Sequence, residues 1–308
     1  MPKAKEIRAK AREAMAGKWG RFVGMNLLYL VVLMVIGLIT SAPLLGSLGG
    51  LVDLATKAMA GKTITEKMYT DVLAGFIGTS ALSSLLSIAA MLIEVPLAYA
   101  LIENIMKAKR DNETTATYFL GRVFPSFGRA WKVTLWQFVK LIVPTILYMV
   151  GIMVAALVMG LLSRLGDAGA VIGGIVYFVA MVAIVIWYIG KVLNLSLSEY
   201  VAIDNPEITA KEAVEKSIEL MPGYRWKLIC LGLSFIGWAI LCCFTFGIGN
   251  LFLTPYMAVA DVVFYEEVVK AHGQTTEKEP VAEAPVAEPV VETPVAEEPV
   301  VEEQPTQE

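Results

Sequence analysis

The sequence predicts an all-α protein, a polytopic transmembrane helix bundle of about six spans with a disordered C-terminal tail. Hydrophobic residues make up 56% of the 308 residues and charged residues only 18%. Soluble domains contain about 45–50% apolar and about 25% charged residues. Five apolar runs are also long enough to cross a bilayer, which takes about 20 residues. Basic, amphipathic segments precede several of these runs.

The six predicted spans differ in how clearly the sequence delimits them. Five are long apolar runs, and the sixth follows the fifth directly after Gly247-Ile-Gly249. Residues 228–265 are too many for one span, and two glycines in three residues are typical of a turn. Gly247 and Gly249 are therefore candidates for a helix break within a tight hairpin. The predicted spans are residues 22–41, 81–102, 135–162, 171–193, 228–246 and 250–265.

The distribution of basic residues predicts the orientation of the chain. With six spans, nineteen Lys and Arg residues fall on the side of the two termini and four on the opposite side. Positive charge is enriched in cytoplasmic segments of membrane proteins. We therefore expect both the N-terminus and the C-terminus in the cytoplasm.

Similar segments precede the odd-numbered spans. Residues 4–22 align without gaps with residues 210–228, including Ala-Lys-Glu at the start and Met-x-Gly near the end. Residues 126–133 are similar to the later part of that segment. Since two spans follow each segment, we interpret the chain as three parallel repeats of a cytoplasmic amphipathic helix and a transmembrane hairpin. Residues 1–21 are the first amphipathic helix, and residues 22–268 are the membrane domain.

Each repeat has a cluster of aromatic and basic residues at the start of its first span. Indole rings favour the depth of lipid headgroups. Lys and Arg beside them attract anionic lipid at roughly 1 kcal/mol each. We interpret the clusters as interfacial anchors in a bilayer with anionic headgroups, and recognition of a specific lipid is the alternative. The anchor residues are Trp19, Arg21, Trp131, Lys132, Arg225, Trp226 and Lys227.

Two carboxyl groups lie within predicted spans. Glu94 is near the middle of the second span, two residues before Pro96, and Asp261 is in the sixth span, six residues after Pro255. A charge at mid-bilayer costs about 2.5–3.5 kcal/mol on insertion scales. One interpretation is a proton or cation pathway in which the two prolines, as candidate helix breaks, loosen their helices. The other is that each carboxyl is protonated, or bonded to a polar neighbour such as Asn26, and holds helices together.

The residue types of common active sites are scarce. The single histidine, His272, and three cysteines within one apolar run do not match the patterns of zinc sites or catalytic triads. We predict no catalytic residue, no metal, no cofactor and no nucleic-acid partner. The protein is expected not to be an enzyme.

The last segment of the chain has a different composition. Residues 277–308 contain ten acidic residues, one lysine and recurring prolines. The prolines disfavour helix and sheet, and the like charges repel one another. Residues 269–308 are therefore predicted to form a disordered acidic tail of Pro-Val-Ala-Glu repeats. It is either a solubilising extension or an arm that binds a basic protein partner.

The membrane domain also resembles a known family, most specifically in its last third. The residues that carry the resemblance are Ala202 to Pro206, the Met221-x-Gly223 break, Ser234 to Trp238, Gly247 to Gly249, Pro255-Tyr256 and Phe264-Tyr265. With residues 12–20 and 127–132, they are similar to the bacterial integral-membrane family described as domain of unknown function 975. The resemblance implies a multipass protein of the bacterial cytoplasmic membrane without an assigned reaction.

These observations leave two functional hypotheses open. The first is a non-enzymatic membrane bundle with an organising, adaptor or envelope-related role, because catalytic residue sets are absent and the hairpins are anchored. The second is a small transporter or channel that uses Glu94 and Asp261. An intramembrane enzyme is less well supported, because serines and aspartates alone do not define a site.

Overall fold

The computed structural model describes residues 2–110 and 115–276, and the regular elements in these ranges are helical. Ten α-helices are described, and a 3-10 turn at Ser163–Leu165 connects the fourth to the fifth. The helices are α1 (Ala4–Met15), α2 (Trp19–Met59), α3 (Glu66–Arg110), α4 (Tyr118–Leu162), α5 (Asp167–Leu193), α6 (Ser198–Asp204), α7 (Ala210–Leu220), α8 (Arg225–Leu233), α9 (Ile236–Phe244) and α10 (Asn250–Thr276).

Several helical stretches are long and apolar enough to cross a membrane. The five that qualify contain the first five predicted spans almost completely. The sixth predicted span, residues 250–265, lies within α10, which does not qualify by length and composition. The prediction of an all-α protein with several membrane-length helices is confirmed. The qualifying stretches are Trp19–Met59, Glu66–Arg110, Tyr118–Leu165, Asp167–Asp204 and Arg225–Phe244.

Three of the helices extend well beyond the predicted spans. α2 has 41 residues, and α3 and α4 have 45 each. At 1.5 Å per residue they are about 60–70 Å long, roughly twice the thickness of the hydrocarbon core. A run of apolar residues shows which part of a helix can lie in lipid, but it does not show where the helix ends. α2 and α3 stay paired far beyond their predicted spans, where a Cβ built on Gly50 would lie 3.6 Å from Val72.

Most buried residues lie at one end of the bundle, which we call the core end. It consists of α1, α6 and α7 together with the parts of α2, α3, α4 and α10 that pack against them. The buried positions follow helical spacing, as Ile7, Ala11 and Met15 do on α1. Large aromatic side chains such as Phe264 and Tyr265 of α10 are almost completely enclosed. The core end is therefore packed like the interior of a globular protein.

Away from the core end, the hairpins α2–α3 and α4–α5 expose apolar side chains. Leu85 of α3 is 65% exposed and Leu157 of α4 is 66% exposed. Extended apolar faces of this kind are rare on soluble monomers. Lipid tails can cover these faces at no cost in solvation free energy, because the tails are as apolar as leucine.

The helices of the first and third predicted repeats, α1 and α7, have the same local structure at their C-terminal ends. Gly17 and Gly223 follow them at aligned positions and have φ angles of 72° and 82°, a region that favours glycine. The aligned Met15 and Met221 are both buried. In the second predicted repeat, residues 126–133 lie inside the continuous helix α4 and do not precede it.

The chain reverses direction between α9 and α10 through residues 245–249. Gly247 has a φ angle of 84°, and a Cβ built on Gly249 would lie 2.6 Å from the sulfur of Cys242. Both positions therefore require glycine for this turn, and the structure has the tight reversal expected there.

α10 continues to Thr276, so residues 269–276 are helical and the prediction of a tail that begins at residue 269 is wrong. The helix continues because no proline interrupts the chain between Pro255 and Pro280. The Pro-Val-Ala-Glu segment, and with it the hypothesis of a protein partner for the tail, lies outside the described residues.

Candidate functional site

Glu94 and Asp261 both lie at the core end and are half-buried. Glu94 is on α3, just before the buried segment that begins at Pro96, and Asp261 is on α10 beside the buried Val262. Within the described part of the chain, neither carboxyl group forms a hydrogen bond or an ion pair. Asn26 of α2 is also buried, and its Nδ2 has no hydrogen-bond partner in this part of the chain. The structure therefore does not join Asn26 to either carboxyl group.

A third carboxyl group, Glu199 of α6, lies in the same part of the core end. It lines a cavity together with Tyr200, whose ring stacks on that of Tyr265 of α10 with 5.7 Å between the ring centroids. Sequence analysis does not single out Glu199, because it lies outside the predicted spans. No group of three or more His, Cys, Asp or Glu side chains among residues 2–110 and 115–276 is arranged to hold a metal ion.

The candidate helix breaks differ in their effect on the backbone. α3 continues through Pro96 and α10 continues through Pro255, so neither proline ends its helix. Each proline still removes one N–H donor from the helix. Gly247 and Gly249, in contrast, lie in the turn between α9 and α10.

The three tryptophans predicted as interfacial anchors have different surroundings. Trp19 packs against Tyr256 of α10, with 6.1 Å between the ring centroids. The Nε1–H of Trp131 donates to the carbonyl oxygen of Leu92 at 3.2 Å. Trp226 is 69% exposed. Among these three, Trp19 and Trp131 make tertiary contacts, and Trp226 has the accessible ring that an interfacial anchor needs.

The basic anchor residues also differ in their contacts. Arg225 donates from Nε to Oδ1 of Asn194 at 2.6 Å, which joins α8 to the residue after α5. The ammonium group of Lys227 lies 5.4 Å from the ring centroid of Tyr224. Lys132 is exposed and Arg21 is half-buried. Arg225 therefore connects α8 to the end of α5, whereas the side chains of Lys132 and Lys227 are exposed at the surface.

Arg129 of α4, which sequence analysis does not single out, binds the connection between α6 and α7. Its guanidinium donates to the carbonyl oxygens of Ala202, Asn205, Pro206 and Ile208 at 2.8–3.2 Å. A guanidinium suits this role because its donors form a planar fork. Three of the four acceptors belong to the stretch from Ala202 to Pro206 on which the family resemblance rests.

Ion pairs connect the helices of the core end. The buried Glu103 of α3 accepts from Nε of Arg122 of α4 at 2.9 Å. Asp204 of α6 accepts from Arg110 at 2.5 Å and from the hydroxyl of Tyr265 of α10 at 3.0 Å. These contacts cross between four helices, so they fix the positions of the helices relative to one another.

A further ion pair joins α4 to α7 at the surface. Nζ of Lys140 lies 3.0 Å from Oε1 of Glu215. The hydrogen bond from Lys140 lowers the pKa of the Glu215 carboxyl from its ordinary value. Because both side chains are partly exposed, solvent screens this pair and its contribution to stability is small.

Three of the cavities in the described part of the chain lie around the core end. The largest of the three, about 600 Å³, is between α1, α9 and α10. A second, about 300 Å³, lies beside Glu103 and Arg129, and a third, about 340 Å³, is lined by Glu199. Neither Glu94 nor Asp261 lines any of these three cavities.

A packed helical end, several membrane-length apolar helices and half-buried carboxyl groups define a multipass helical membrane protein. The family model described as "Protein of unknown function (DUF975)" matches residues 1–272, and the chain belongs to this family. This match confirms the family expected from the sequence and covers nearly all of the described residues. No curated protein and no solved structure matches the chain.

Proposed function

We propose that the protein is a non-enzymatic component of the bacterial cytoplasmic membrane with an organising, adaptor or envelope-related role. The observation that carries this proposal is the division of the molecule into a packed core end and two long hairpins with exposed apolar faces. Such faces contact lipid and are also able to pack against the transmembrane helices of other proteins.

The ion pairs of the core end support this role because they limit movement between the hairpins. Glu103 and Arg122 join α3 to α4, which belong to different hairpins. Removing one partner of a buried pair costs several kcal/mol, about 3–5 in the most enclosed cases. On the exposed surface of α4, Ala156 and Gly160 are one helical turn apart. Small residues at this spacing let a second helix approach closely.

A photo-crosslinking experiment in native membranes tests the proposed role. A photoreactive amino acid at Leu157, on the exposed face of α4, is expected to give protein adducts of discrete mass. The same group at Val133, which is fully buried in α4, is the matched control and should react only within the chain. If Leu157 gives lipid adducts alone, the organising role is wrong.

We further propose that the core end faces the cytoplasm, with both termini on that side. The positively charged residues at the core end, including Lys107, Arg110 and Arg129, support this orientation. In a variant without native cysteines, Lys62→Cys should react with an impermeant maleimide from outside the cell. A reporter fused after Glu308 should be active in the cytoplasm. Labelling of position 62 from the cytosolic side alone contradicts this orientation.

A second candidate function, a transporter or channel, is supported by the half-buried Glu94 and Asp261, which lack partners among the described residues. Purified protein in liposomes, screened for proton and cation flux, separates the two functions. Transport would be established if the flux is lost in Glu94→Gln and in Asp261→Asn. The flux should be kept in Glu219→Gln, an exposed control on α7. Absence of flux, or flux unchanged in both variants, would rule out a carboxylate pathway.

A further inference from the structure

The cavity of about 600 Å³ between α1 and the α9–α10 hairpin is an open groove with two chemically different halves. One half is cationic and is lined by Lys5, Arg8 and Arg12 of α1. The other half is apolar and includes Leu241 of α9 and Leu253 of α10. A volume in this range is typical of sites for small molecules. The groove is therefore complementary to an amphiphilic molecule with an anionic end.

The positive charge in the groove is not neutralised by the described part of the protein. Lys5, Arg8 and Arg12 lie on one face of α1 because they are three and four residues apart. None of them has a carboxylate within ion-pair distance in the described ranges, whereas Lys10 pairs with Glu267 at 2.5 Å. Three unpaired cations beside one cavity attract an anion.

Arg8 is held in place before any ligand binds. Its Nη1 donates to the carbonyl oxygen of Ser234, directly after α8, at 3.0 Å. Its guanidinium also lies 5.9 Å from the ring centroid of Phe235. The hydroxyl of Tyr256 donates to the backbone oxygen of Arg8 at 3.1 Å. Since these contacts already restrict the side chain, little conformational entropy is lost on binding.

The apolar half extends away from α1 towards the α9–α10 turn. Between Tyr256 and Gly249, both of which line the groove, α10 provides a wall about 10 Å long. Trp19 and Trp238 also line it, and indole rings favour the boundary between headgroups and acyl chains. The groove therefore joins a cationic part on α1 to a part lined by aromatic and aliphatic side chains of α9 and α10.

We propose that this groove binds one anionic phospholipid, with its phosphate against Lys5, Arg8 and Arg12 and one acyl chain along α9 and α10. The site includes only Trp19 of the predicted interfacial anchors, and it differs from them because tertiary packing of α1, α9 and α10 forms a concave surface. The proposal does not depend on whether the protein organises other proteins or transports a solute.

Native mass spectrometry of the full-length protein in detergent tests this site. The probes are phosphatidylglycerol and phosphatidylcholine with the same acyl chains, so that only the headgroup charge differs. The wild-type protein is expected to retain phosphatidylglycerol preferentially. With about fivefold in affinity for each cation at the surface, Lys5→Gln/Arg12→Gln should bind phosphatidylglycerol roughly 25-fold more weakly. The control Lys62→Gln/Lys67→Gln removes the same charge from exposed positions outside the groove and should bind normally.

A second pair of variants tests the apolar half without altering charge. Leu241→Trp fills the groove and should weaken the binding of both lipids, whereas Ile240→Trp changes a neighbouring exposed residue that does not line it. Equal retention of the two lipids, or a preference unaffected by Lys5→Gln/Arg12→Gln, overturns the proposal. If glycerol phosphate competes as well as the lipid and Leu241→Trp has no effect, the groove binds a free anion and the lipid assignment is wrong.

Discussion

Trp131 of α4 donates its indole N–H to the carbonyl oxygen of Leu92 of α3, at 3.2 Å. In an uninterrupted helix, that carbonyl accepts from the N–H of the residue four positions later. Here that residue is Pro96, which has no N–H. Trp131 replaces the missing donor, which explains how α3 continues through the proline. Trp131, predicted as an interfacial anchor, and Pro96, predicted as a helix break, therefore take part in the same interaction.

This relationship predicts that Trp131 and Pro96 are coupled energetically. Trp131→Phe keeps most of the ring but leaves the carbonyl of Leu92 without a donor, so we expect a loss of about 1 kcal/mol in the free energy of unfolding. Pro96→Ala restores the backbone N–H, and in that background Trp131→Phe should cost much less. A double-mutant cycle, measured by SDS titration of the protein in mixed micelles, gives the coupling. Equal costs in the two backgrounds would contradict the explanation.

Arg129 is predicted to be one of the residues most sensitive to substitution at the core end. Arg129→Gln leaves carbonyl oxygens of the α6–α7 connection without donors and should reduce the free energy of unfolding by about 2–4 kcal/mol. Arg129→Lys keeps the charge but should recover only part of the loss, because an ammonium group does not reproduce the planar fork. Lys132→Gln, at an exposed position one helical turn away, is the control and should unfold like the wild type.

The turn between α9 and α10 predicts opposite effects for two glycine substitutions. Gly249→Ala places a Cβ 2.6 Å from the sulfur and 3.2 Å from the Cα of Cys242 and should destabilise the protein by about 1–3 kcal/mol. Gly232→Ala, within α8, meets no atom within 4 Å and should be neutral or stabilising by up to about 1 kcal/mol. Thermal unfolding in detergent distinguishes the two. A Gly249→Ala variant as stable as the wild type would show that the turn is not close-packed.

The two ion pairs of Glu103 should differ in strength because Arg122 is closer and lies on another helix, whereas Lys107 is one turn away on α3. The Glu103 side chain is 8% exposed, while Arg122 is 39% and Lys107 is 43% exposed. Nε of Arg122 lies 2.9 Å from the Glu103 carboxylate and Nζ of Lys107 lies 3.3 Å from it. We expect a coupling energy of about 1–3 kcal/mol for Glu103 with Arg122. For Glu103 with Lys107 we expect under about 1 kcal/mol. Two double-mutant cycles with Glu103→Gln measure these energies, and the reverse order would contradict the assignment.

The sequence alone was sufficient for the class of the protein and for its family. Long apolar runs predict helices because lipid offers no partners for backbone polar groups, so the chain must satisfy them internally. The reversal at Gly247 and Gly249 was also predictable, since few residues other than glycine tolerate its geometry. In the same way, Gly17 and Gly223 could be paired by alignment, and both have a positive φ.

The tertiary structure decided where the helices end and which polar side chains meet. The length of α2 beyond residue 41 and the continuation of α3 through Pro96 depend on neighbouring helices. Arg129 binds a carbonyl 73 positions away in the chain, and Arg8 binds one 226 positions away. Local sequence patterns do not encode such contacts. The hydropathy of a side chain indicates whether it is buried, but not which residue it contacts. Packing of distant helices creates the neighbours, and with them the cationic groove.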